Sequence, residues 1–415
     1  MSQYKPYPKY KDSGVEWLGD VPEGWIVTSL KRYCNVTDGS HHSPKVQDIG
    51  FPFISVTDVG HNNINFKNCK KILEQDFKRL IKEGCQPNIG DILLTKDGTI
   101  GRAVIVKKNY PDFVILSSLG LLSPHKKLLN TYLYYYLLSG INIDQMNSMI
   151  HGSALKRMTI SKIDNLIISF PSLKEQKEIA NYLNQKTQKI DTLIEKQQTL
   201  INLLKEKRKT VIIHTVTKGL DSSVDMKDSE IEWLGDVPEH WKISKLKFFA
   251  RIKNGQDQKK VISDNGKYPI YGSGGEFGRA NNYLYNKVSV LLGRKGTVDK
   301  PLFITKPFWT VDTMYFTKIN SQTNPKYFYY SCLTIPFGYY QYGSALPSMT
   351  QEDLHNHHFI APPLKEQKEI ANYLDQKTQK IDTLIEKATK AIKLLKERRT
   401  ALISAVVTGK IDIQN

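Results

Sequence analysis

A 24-residue stretch occurs twice in this sequence and restricts its possible folds more than any other feature. Residues 173–196 read LKEQKEIANYLNQKTQKIDTLIEK, and residues 364–387 repeat these letters with one difference, Asn184 against Asp375. The second copy begins 191 residues after the first. A repeat with so long a period predicts a chain made of two similar halves, each containing one copy.

A second repeated segment stands near the beginning of each half. Residues 16–23 and 232–239 both read EWLGDVPE, and a further tryptophan follows each. These segments are 216 residues apart, so the region between segment and helix is 25 residues shorter in the second half. The Val-Pro step beside a glycine predicts a turn, and we expect Trp17 and Trp233 to anchor the segments by packing.

Both copies of the 24-residue stretch open a predicted long helix. Apolar side chains recur at steps of three, four and seven, the pattern of a heptad seam, at Ile179, Leu183, Ile190, Leu193, Leu200, Leu204 and Val211. A helix of about 45 residues needs a partner for such a stripe. The second copy is the obvious partner, with Ile370, Leu374, Ile381, Leu384, Ala388, Ala391, Leu395 and Leu402 at matching places. A two-fold relation between the halves favours an antiparallel pair.

The regions between the repeats differ in sequence. The first has β-type runs at 51–56, 91–95, 102–106 and 166–170 and a helical run at 128–139, and the second has β-type runs at 288–292 and 303–305 and a glycine-rich stretch at 268–278. Val, Ile, Phe and Tyr dominate the β-type runs, as is typical of strands. The predicted fold class is α+β: two mixed α/β domains separated by a pair of long antiparallel coiled-coil helices, with a pseudo-two-fold internal repeat.

These patterns divide the chain into segments that follow one another in the same order in both halves. The division is 1–25 for the N-terminal repeated segment, 26–170 for the first variable domain, 171–218 for the first long helix, 219–241 for a polar linker and the second repeated segment, 242–361 for the second variable domain, and 362–415 for the second long helix and the C-terminal tail.

The charge balance of the chain indicates a polyanionic partner. The 59 Lys and Arg residues against 41 Asp and Glu residues give a net charge of +18, which favours nucleic acid. The four cysteines have neither zinc-site spacing nor a disulfide pattern, and a reducing compartment suits them. With no apolar leader and no run of about 18 apolar residues, we expect a cytoplasmic protein.

The order of these parts resembles the specificity subunit of Type I restriction-modification systems. The resemblance is carried by the duplicated P-x-LKEQKEIANYL helix start, the two EWLGDVPE segments with their following tryptophans, and the variable domains between them, so it covers essentially the whole chain. In that family the two variable domains are target-recognition domains, and each reads one half of a split, asymmetric DNA sequence. The resemblance therefore implies that residues 26–170 and 242–361 are target-recognition domains.

The resemblance also implies the partners of the chain. In the family, the long helices act as a spacer and as a docking surface for two DNA methyltransferase subunits, and restriction (translocase/nuclease) subunits complete the complex. The subunit has no catalytic activity of its own, so we expect no catalytic residue, no metal and no cofactor, with S-adenosylmethionine and ATP on partner subunits only. Two unlike readers on a fixed helical strut would set the gap between the half-sites, as dimer spacing does.

Three internally matched loops are candidates for contacting double-stranded DNA. The first pairs residues 38–42 with residues 254–258, each a turn dipeptide followed by polar side chains of different identity. Such side chains on a shared backbone suit readers of base edges, and an ordinary surface hairpin is the alternative. The candidate contacts are Ser40, His41, His42, Gln256 and Gln258.

The second loop pairs residues 96–99 with residues 294–297, where a basic residue stands beside a glycine turn. A basic residue there suits a phosphate or a guanine edge, and we expect a bidentate contact to guanine from Arg294 and a less rigid one from Lys96. A solvated turn charge is the alternative. The candidates are Lys96, Arg294 and Lys295.

The third loop pairs residues 152–155 with residues 343–346, which both read GSAL. Small residues permit close approach of the backbone to a phosphate, and a packing role is the alternative. The candidates in and beside this loop are Ser153, Lys156, Arg157, Ser344 and Gln351, and isolated candidates are Arg102, Arg279 and Asn281.

Two other classes of function stay open. Residues 324–327 read NPKY and faintly resemble the Asn-Pro-Pro-Tyr motif of amino methyltransferases, but Lys326 replaces the second proline. The glycines at 272–278 lack a GK[ST] continuation, and the three histidines at 355–358 lack further metal-ligand spacing, which favours a cluster at a strand edge. An enzyme, either methyltransferase or nuclease, is therefore one alternative. A coiled-coil adaptor that binds only proteins is the other, and exchange of one variable domain would separate it from a DNA reader.

Overall fold

A computed structural model describes residues 5–60, 62–125, 127–150, 156–340 and 347–413 of the chain. Its internal contacts divide it into two compact units, unit 1 with Met1–Gln197 and Lys390–Asn415, and unit 2 with Gln198–Thr389. Each unit combines one variable region with the N-terminal part of one long helix and the C-terminal part of the other.

The strands and helices of the first half are short until the long helix begins. They are β1 (Tyr10–Asp12), β2 (Asp20–Pro22), β3 (Ile26–Ser29), β4 (Cys34–Asp38), β5 (Phe51–Ile54), β6 (Lys70–Ile72), α1 (Glu74–Lys82), β7 (Ile92–Thr95), β8 (Ala103–Ile105), β9 (Val114–Ile115), β10 (Leu119–Pro124), α2 (Asn130–Leu137), α3 (Gly140–Ser148), α4 (Ile160–Asp164), β11 (Ile167–Phe170) and the long helix α5 (Leu173–Lys218).

The second half repeats this order with fewer helices. Its elements are β12 (Met226–Asp228), β13 (Asp236–Pro238), β14 (Lys242–Lys245), β15 (Ala250–Asn254), β16 (Tyr268–Gly272), β17 (Gly275–Ala280), β18 (Ser289–Gly293), β19 (Leu302–Ile304), β20 (Trp309–Thr310), β21 (Met314–Ile319), α6 (Pro325–Cys332), α7 (Gln351–Asn356), β22 (His358–Ala361) and the long helix α8 (Leu364–Val407).

The two units have the same sheet topology. The main sheet has the strand order β4-β10-β7-β8 in unit 1 and β15-β21-β18-β19 in unit 2, with antiparallel neighbours throughout. A second sheet, β6-β5-β9 or β17-β16-β20, has one antiparallel and one parallel pair in each unit. The variable regions have therefore diverged in sequence while keeping one fold.

The burial of each strand follows from its side-chain pattern. In β4, Cys34 and Val36 face the core while Asn35 and Thr37 face solvent. In β15, Ala250 and Ile252 face the core in the same alternation. The period of two puts alternate residues on opposite faces of a strand. The central strands β7 and β18 are buried along their whole length, as their continuous apolar runs require.

Within unit 1, the parts of the two long helices run antiparallel. Leu183 of α5 shares a hydrophobic core with Ile403 of α8. Further along α5, Asp191 accepts a hydrogen bond from Arg399 at 2.9 Å. Residue numbers rise along one helix while they fall along the other.

Unit 2 repeats this pairing with the equivalent residues. Ile212 of α5 shares a core with Leu374 of α8, and Arg208 donates to Asp382 at 2.9 Å. The antiparallel arrangement that symmetry favours is therefore confirmed inside each unit.

Some predicted seam positions are not buried. Leu193 and Leu384, which are equivalent in the repeat, are 47% and 48% exposed, and Leu200 is also exposed. For these three leucines the prediction of a seam position is wrong. The buried residues in the later part of α5 are Ile201, Leu204, Ile212 and Val216. Their spacing of three, eight and four residues fits the 3.6-residue turn of a straight helix better than a strict heptad repeat.

One buried glutamine of the repeated stretch ties each long helix to its domain. Gln176 donates from Nε2 to the Pro171 carbonyl at 2.9 Å, and its Oε1 accepts from the Leu129 amide at 2.8 Å. Gln367 repeats this arrangement in unit 2, where the Asn324 amide is the donor at 2.8 Å. Burying a side-chain amide is favourable only when it is hydrogen-bonded in this way.

The buried tryptophans of the EWLGDVPE segments are not the predicted ones, although Trp233 stacks on the His357 ring. Trp17 and Trp233 are 42% and 37% exposed, because they lie in the turns between β1 and β2 and between β12 and β13. Trp25 and Trp241 are buried instead, and each donates its indole N–H to the glutamate of the repeated helix start. The Val-Pro steps, predicted as turns, lie within β2 and β13.

All six predicted β-type runs correspond to strands. The runs 51–56, 91–95, 102–106, 166–170, 288–292 and 303–305 overlap β5, β7, β8, β11, β18 and β19, and the helical run 128–139 contains α2. The glycine-rich stretch 268–278 forms the hairpin β16-β17, which the sequence did not predict. Glycine has a low β-propensity, so the hydrogen bonds between β16 and β17 stabilise these strands rather than the intrinsic preference of their residues.

Candidate nucleic-acid interface

The candidate loops of unit 1 follow two strands that end at the same edge of the main sheet. β4 and β7 both pair antiparallel with β10, so they run in the same direction. Asp38 ends β4, and Lys96 follows β7 directly. The topology therefore brings together two loops that are distant in the sequence.

Gly39 fixes the course of the first loop. A Cβ atom at this position would lie 2.1 Å from the Ile115 carbonyl oxygen, so a larger residue would displace the strand. The Ser40 amide donates to that carbonyl at 2.9 Å, and the Ser40 hydroxyl donates to the His42 carbonyl at 2.8 Å. The turn therefore holds Ser40 inside and leaves His41 and His42 exposed.

Lys96 is enclosed by the loops rather than exposed on them. The residue is 5% exposed, and its ammonium lies 3.3 Å from the Asp38 carboxylate. The same carboxylate lies 3.2 Å from Nε2 of His41, whose side chain is 77% exposed. A cation this buried needs a counter-ion. Asp38 therefore links a buried ammonium to an exposed imidazole.

A third segment of unit 1 joins the same place. The Gly98 amide donates to the Lys156 carbonyl at 3.0 Å, and Arg157 donates to both carboxylate oxygens of Asp97, at 3.0 and 3.1 Å. The structure thus brings together loops that the sequence matched only separately. We call this set surface 1; it consists of residues 38–42, 96–98 and 156–157.

Unit 2 builds the same scaffold from different residues. A Cβ atom at Gly255 would lie 2.0 Å from the Val311 carbonyl oxygen, which is the close approach seen at Gly39. The Gly296 amide donates to the Pro347 carbonyl at 2.9 Å. This equivalent set is surface 2; it consists of residues 254–258, 294–296 and 347–351.

The basic residue is where the two surfaces differ most. Arg294 follows β18 as Lys96 follows β7, but in the part of the chain that the structure describes it forms no ion pair. Its guanidinium lies 5.9 Å from the centre of the Tyr315 ring. Asn254 stands where unit 1 has Asp38, so surface 2 has no carboxylate at the end of its first strand.

The predicted contact residues differ in how far they reach solvent. The exposed ones are His41, His42, Lys156, Arg157, Gln256, Arg279, Asn281 and Lys295; the half-buried ones are Arg102, Gln258, Arg294 and Gln351; the buried ones are Ser40 and Lys96. Ser153 and Ser344 lie outside the described residues.

Several of these side chains also bond within the protein, among them Arg294, which donates to the Asp312 carbonyl at 3.3 Å. Gln351 donates from Nε2 to the Ile252 carbonyl at 2.8 Å and so joins α7 to β15. Arg102 donates to the Val59 carbonyl at 3.3 Å. Arg279 pairs with an exposed glutamate three residues before it at 3.3 Å, which leaves most of its donors in solvent.

The sequence missed the acidic partners in surface 1. Asp38 and Asp97 each hold a basic candidate, yet neither was predicted to matter. A signal was available for Asp38, since Asn254 occupies the equivalent place 216 residues later. Because the two halves share one fold, the change from the carboxylate of Asp38 to the amide of Asn254 is not required by that fold and indicates a difference in function.

The motif that resembled a methyltransferase signature is a helix start. Asn324 caps α6, with its side-chain oxygen accepting from the amides of Lys326 and Tyr327 at 3.0 Å. Pro325 is the first helical residue. Asparagine at the cap followed by proline is a common way to begin a helix, so the start of α6 accounts for the Asn-Pro step.

Other reactive groups are enclosed in the fold. The four cysteines are buried, and burial raises the pKa of the Cys34 thiol to about 12, which disfavours the nucleophilic thiolate. His358 begins β22, and His357 is buried beside it. Among the described residues, no group of three or more His, Cys, Asp or Glu side chains is placed to hold a metal ion. None of the helices in those residues has the length and hydropathy of a transmembrane segment.

Comparison with known proteins decides the family. The model of the Type I restriction modification DNA specificity domain matches residues 22–203 and 238–394, one match in each half. The chain belongs to this family. The resemblance seen in its sequence is confirmed. As a Type I specificity subunit, it is the non-catalytic DNA-recognition component of a restriction-modification system, with two DNA recognition domains.

Relatives of this specificity subunit align along nearly their whole length. The putative type I restriction enzyme MjaX specificity subunit of Methanocaldococcus jannaschii is 27% identical over 425 residues, which cover 96% of each chain. The MjaIX specificity subunit of the same organism is 23% identical over 455 residues, which cover 100% of this chain and 99% of the relative.

A solved structure shares the fold of this specificity subunit. It was described as the structural basis of complex assembly and conformational transition of the type I R-M system. It superposes with a TM-score of 0.70 at 14% identity, covering 93% of this chain and 98% of that one.

Proposed function

We propose that each variable region of this specificity subunit reads one half of a bipartite, asymmetric DNA target. The observation that supports this is that the two surfaces have the same backbone arrangement but different polar and charged side chains. Surface 1 has an Asp38–Lys96 ion pair, and surface 2 has an asparagine and Arg294 at the equivalent places. Different donors and acceptors on equivalent backbones would select different base edges in the major groove.

We further propose which side chains contact DNA. Exposed or half-exposed cations suit the phosphates, and exposed or half-exposed polar side chains at the strand ends suit base edges. The net charge of +18 adds salt-dependent affinity for any duplex. The proposed phosphate contacts are Lys156, Arg157, Lys295, Arg102 and Arg279, and the proposed base contacts are His41, His42, Gln256, Gln258, Asn281 and Arg294.

The repeated stretch is proposed to dock two methyltransferase subunits. Its identity extends to exposed positions that packing does not constrain. Leu193 and Leu384 are both about half exposed, and Lys189 and Lys380 are exposed beside them. Identical exposed residues in the two copies suit two copies of one partner. Restriction subunits would join through these methyltransferases.

Cofactors belong on the partner subunits in this proposal. S-adenosylmethionine would bind the methyltransferase subunits and ATP the restriction subunits, because this subunit has no catalytic role in its family. We place the complex in the cytoplasm, because there a protein that reads chromosomal DNA meets its substrate.

The test is to exchange one variable region and map methylation. The full chain is expressed with its methyltransferase subunits, and the methylated target is determined by sequencing. Residues 242–361 are then replaced by the corresponding region of a relative. We expect one half-site to change while the other half-site is kept, because the unit 1 surface is untouched.

Two outcomes would contradict the proposal. A target that changes in both halves would show that the regions do not read separately. A target that stays the same, in a variant that still assembles and methylates, would show that the exchanged region does not read DNA and would favour a protein-only adaptor. The reciprocal exchange of residues 26–170 is the matched control.

A further inference from the structure

Surface 1 and surface 2 differ in an arrangement that their shared fold does not require. In surface 1, the Asp38 carboxylate lies 3.3 Å from the Lys96 ammonium and 3.2 Å from Nε2 of His41. In surface 2, Asn254 stands at the end of the equivalent strand. Unit 2 forms the same sheet without a carboxylate there, so the shared fold does not require the Asp38–Lys96 ion pair.

The strand between the two loops shows why only surface 1 draws its cation inward. Gly120 pairs with Asp38 on β10 and presents no side chain between Asp38 and Lys96. Tyr315 occupies the equivalent position of β21, and the Arg294 guanidinium lies against its ring. The lysine therefore reaches across a glycine to a carboxylate, whereas the arginine rests on an aromatic face.

We infer that Asp38 is a specificity-determining residue of surface 1, which keeps the Lys96 ammonium away from DNA and fixes the His41 imidazole toward it. This inference rests on the proposed function, since it presumes that surface 1 contacts DNA. Asp38 acts through its two neighbours and is a positioning residue.

The chemistry of the three groups gives Asp38 two effects. A carboxylate only accepts hydrogen bonds, so Nε2 of His41 carries the shared proton and Nδ1 is the ring nitrogen left for a ligand. An imidazole that is held before binding loses less side-chain entropy at the interface. A released Lys96 would be a flexible point charge that attracts any phosphate. Asp38 therefore lowers affinity for DNA in general and sharpens selection by sequence.

The experiment uses the full chain assembled with its methyltransferase subunits. The probes are duplexes that carry the mapped target, or that target with one half-site scrambled. Affinity is measured over a range of salt concentrations, which gives the slope of log K against log salt. The variants are Asp38→Asn, which copies surface 2, and Asp38→Asn combined with Lys96→Gln.

In Asp38→Asn, we expect the salt slope to steepen by about one, because the freed ammonium neutralises one more phosphate. Discrimination at the half-site read by unit 1 falls by about 5-fold or more, in the range of one lost base contact. Discrimination at the other half-site is unchanged. Adding Lys96→Gln returns the slope to the wild-type value but leaves discrimination reduced, because His41 is still not fixed.

Two controls keep the result interpretable. Asn254→Asp, made in surface 2, should alter only the other half-site. If Asp38→Asn does not assemble, the double variant serves by itself, because it removes both charges of the pair, and we expect its salt slope to equal that of the wild type. A shallower slope in that variant would mean that Lys96 already contacts a phosphate, which overturns the inference.

The remaining outcomes separate this inference from the proposed function. An assembled Asp38→Asn variant with wild-type discrimination at both half-sites overturns the role of Asp38 and leaves the proposed function standing. A wild-type complex that binds scrambled and intact half-sites equally well overturns the proposed function itself.

Discussion

At the scale of single residues, His357 shows how the two halves differ inside one fold. Leu166 occupies the equivalent position in unit 1 and is buried, and both carbonyls accept the same backbone hydrogen bond. The His357 ring stacks 4.9 Å from Trp233, and Nδ1 lies 2.9 Å from the Tyr340 hydroxyl. Its Nε2 is buried without a hydrogen-bond partner among the described residues. A neutral ring fits this place and a protonated one does not.

This burial predicts an acid-sensitive unit 2. Burial, with a smaller effect of His358, lowers the pKa of His357 from 6.5 to about 4. The unfolded state therefore binds the proton first, and stability is complete above the unfolded value and is lost as the pH falls from 6.5 toward 4. The loss amounts to about 3 kcal/mol at most. His357→Leu, which copies unit 1, should remove it.

Hydrogen exchange, corrected for intrinsic rates, measures this effect at about pH 7 and about pH 5. The amides of β22 should lose protection in the wild type and keep it in His357→Leu. The amides of β11, beside Leu166, are the matched control and should respond alike in both proteins. Equal losses in β22 of the two proteins would refute the assignment.

At the scale of elements, the one difference between the repeated stretches has a matching difference in the domain helix. Asp375 and Asn184 each accept from a tyrosine hydroxyl, at 2.7 and 2.6 Å. Only Asp375 also pairs with a cation, Lys326, at 3.0 Å. Unit 1 has Thr131 at the place of Lys326. Unit 2 thus has both the carboxylate and the ammonium of this ion pair, whereas unit 1 has a neutral residue at each of the two equivalent positions.

A double-mutant cycle tests whether this pair is coupled. Lys326→Thr and Asp375→Asn copy the residues of unit 1. Because both side chains are 40% exposed, solvent screening limits the coupling to about 0.5 kcal/mol. The free energy of opening of α6 by hydrogen exchange is the measurement. The matched cycle in unit 1 combines Asn184→Asp with Thr131→Lys, and we expect it to introduce a coupling of the same size. Strictly additive effects in both cycles would show that the two side chains are not coupled.

At the scale of the whole molecule, the two units differ in how the end of a long helix is joined to the EWLGDVPE segment that packs beside it. In unit 2, α5 runs directly into the linker that leads to β12. In unit 1, the C-terminal tail meets the N-terminal segment: the Asp412 amide donates to the Lys5 carbonyl at 2.9 Å, and the Tyr10 hydroxyl donates to the Gly409 carbonyl at 2.9 Å. In unit 1, noncovalent contacts hold the end of α8 against the strands β1 and β2. In unit 2, a continuous chain connects the end of α5 to β12.

Removing the tail should weaken unit 1 alone. Deletion of residues 410–415 removes the Asp412 hydrogen bond and the packing of Ile411 and Ile413 on the core of unit 1. We expect a loss of about 2 kcal/mol from half-buried isoleucines and one hydrogen bond. Hydrogen exchange of β10 in unit 1 and of β21 in unit 2 measures it. Equal losses in the two strands would show that the tail does not act on unit 1 in particular.

The duplication, the antiparallel pairing of the long helices, six of the strands and the family could be predicted from the sequence alone. These properties depend on identical letters, on periodicity and on the order of segments, all of which are visible along one chain. The sequence also located the candidate surfaces, because matched turns in the two halves mark equivalent backbone.

Which of the candidate side chains reach solvent became clear only from the folded structure. Trp25 rather than Trp17 is buried, Leu193 lies outside the core, and Lys96 is enclosed with Asp38. The physical reason is that burial and ion pairing depend on neighbours across strands and helices. Asp38 and Lys96 meet only because β4 and β7 end at one edge with a glycine between them, and no local pattern in the sequence records that meeting.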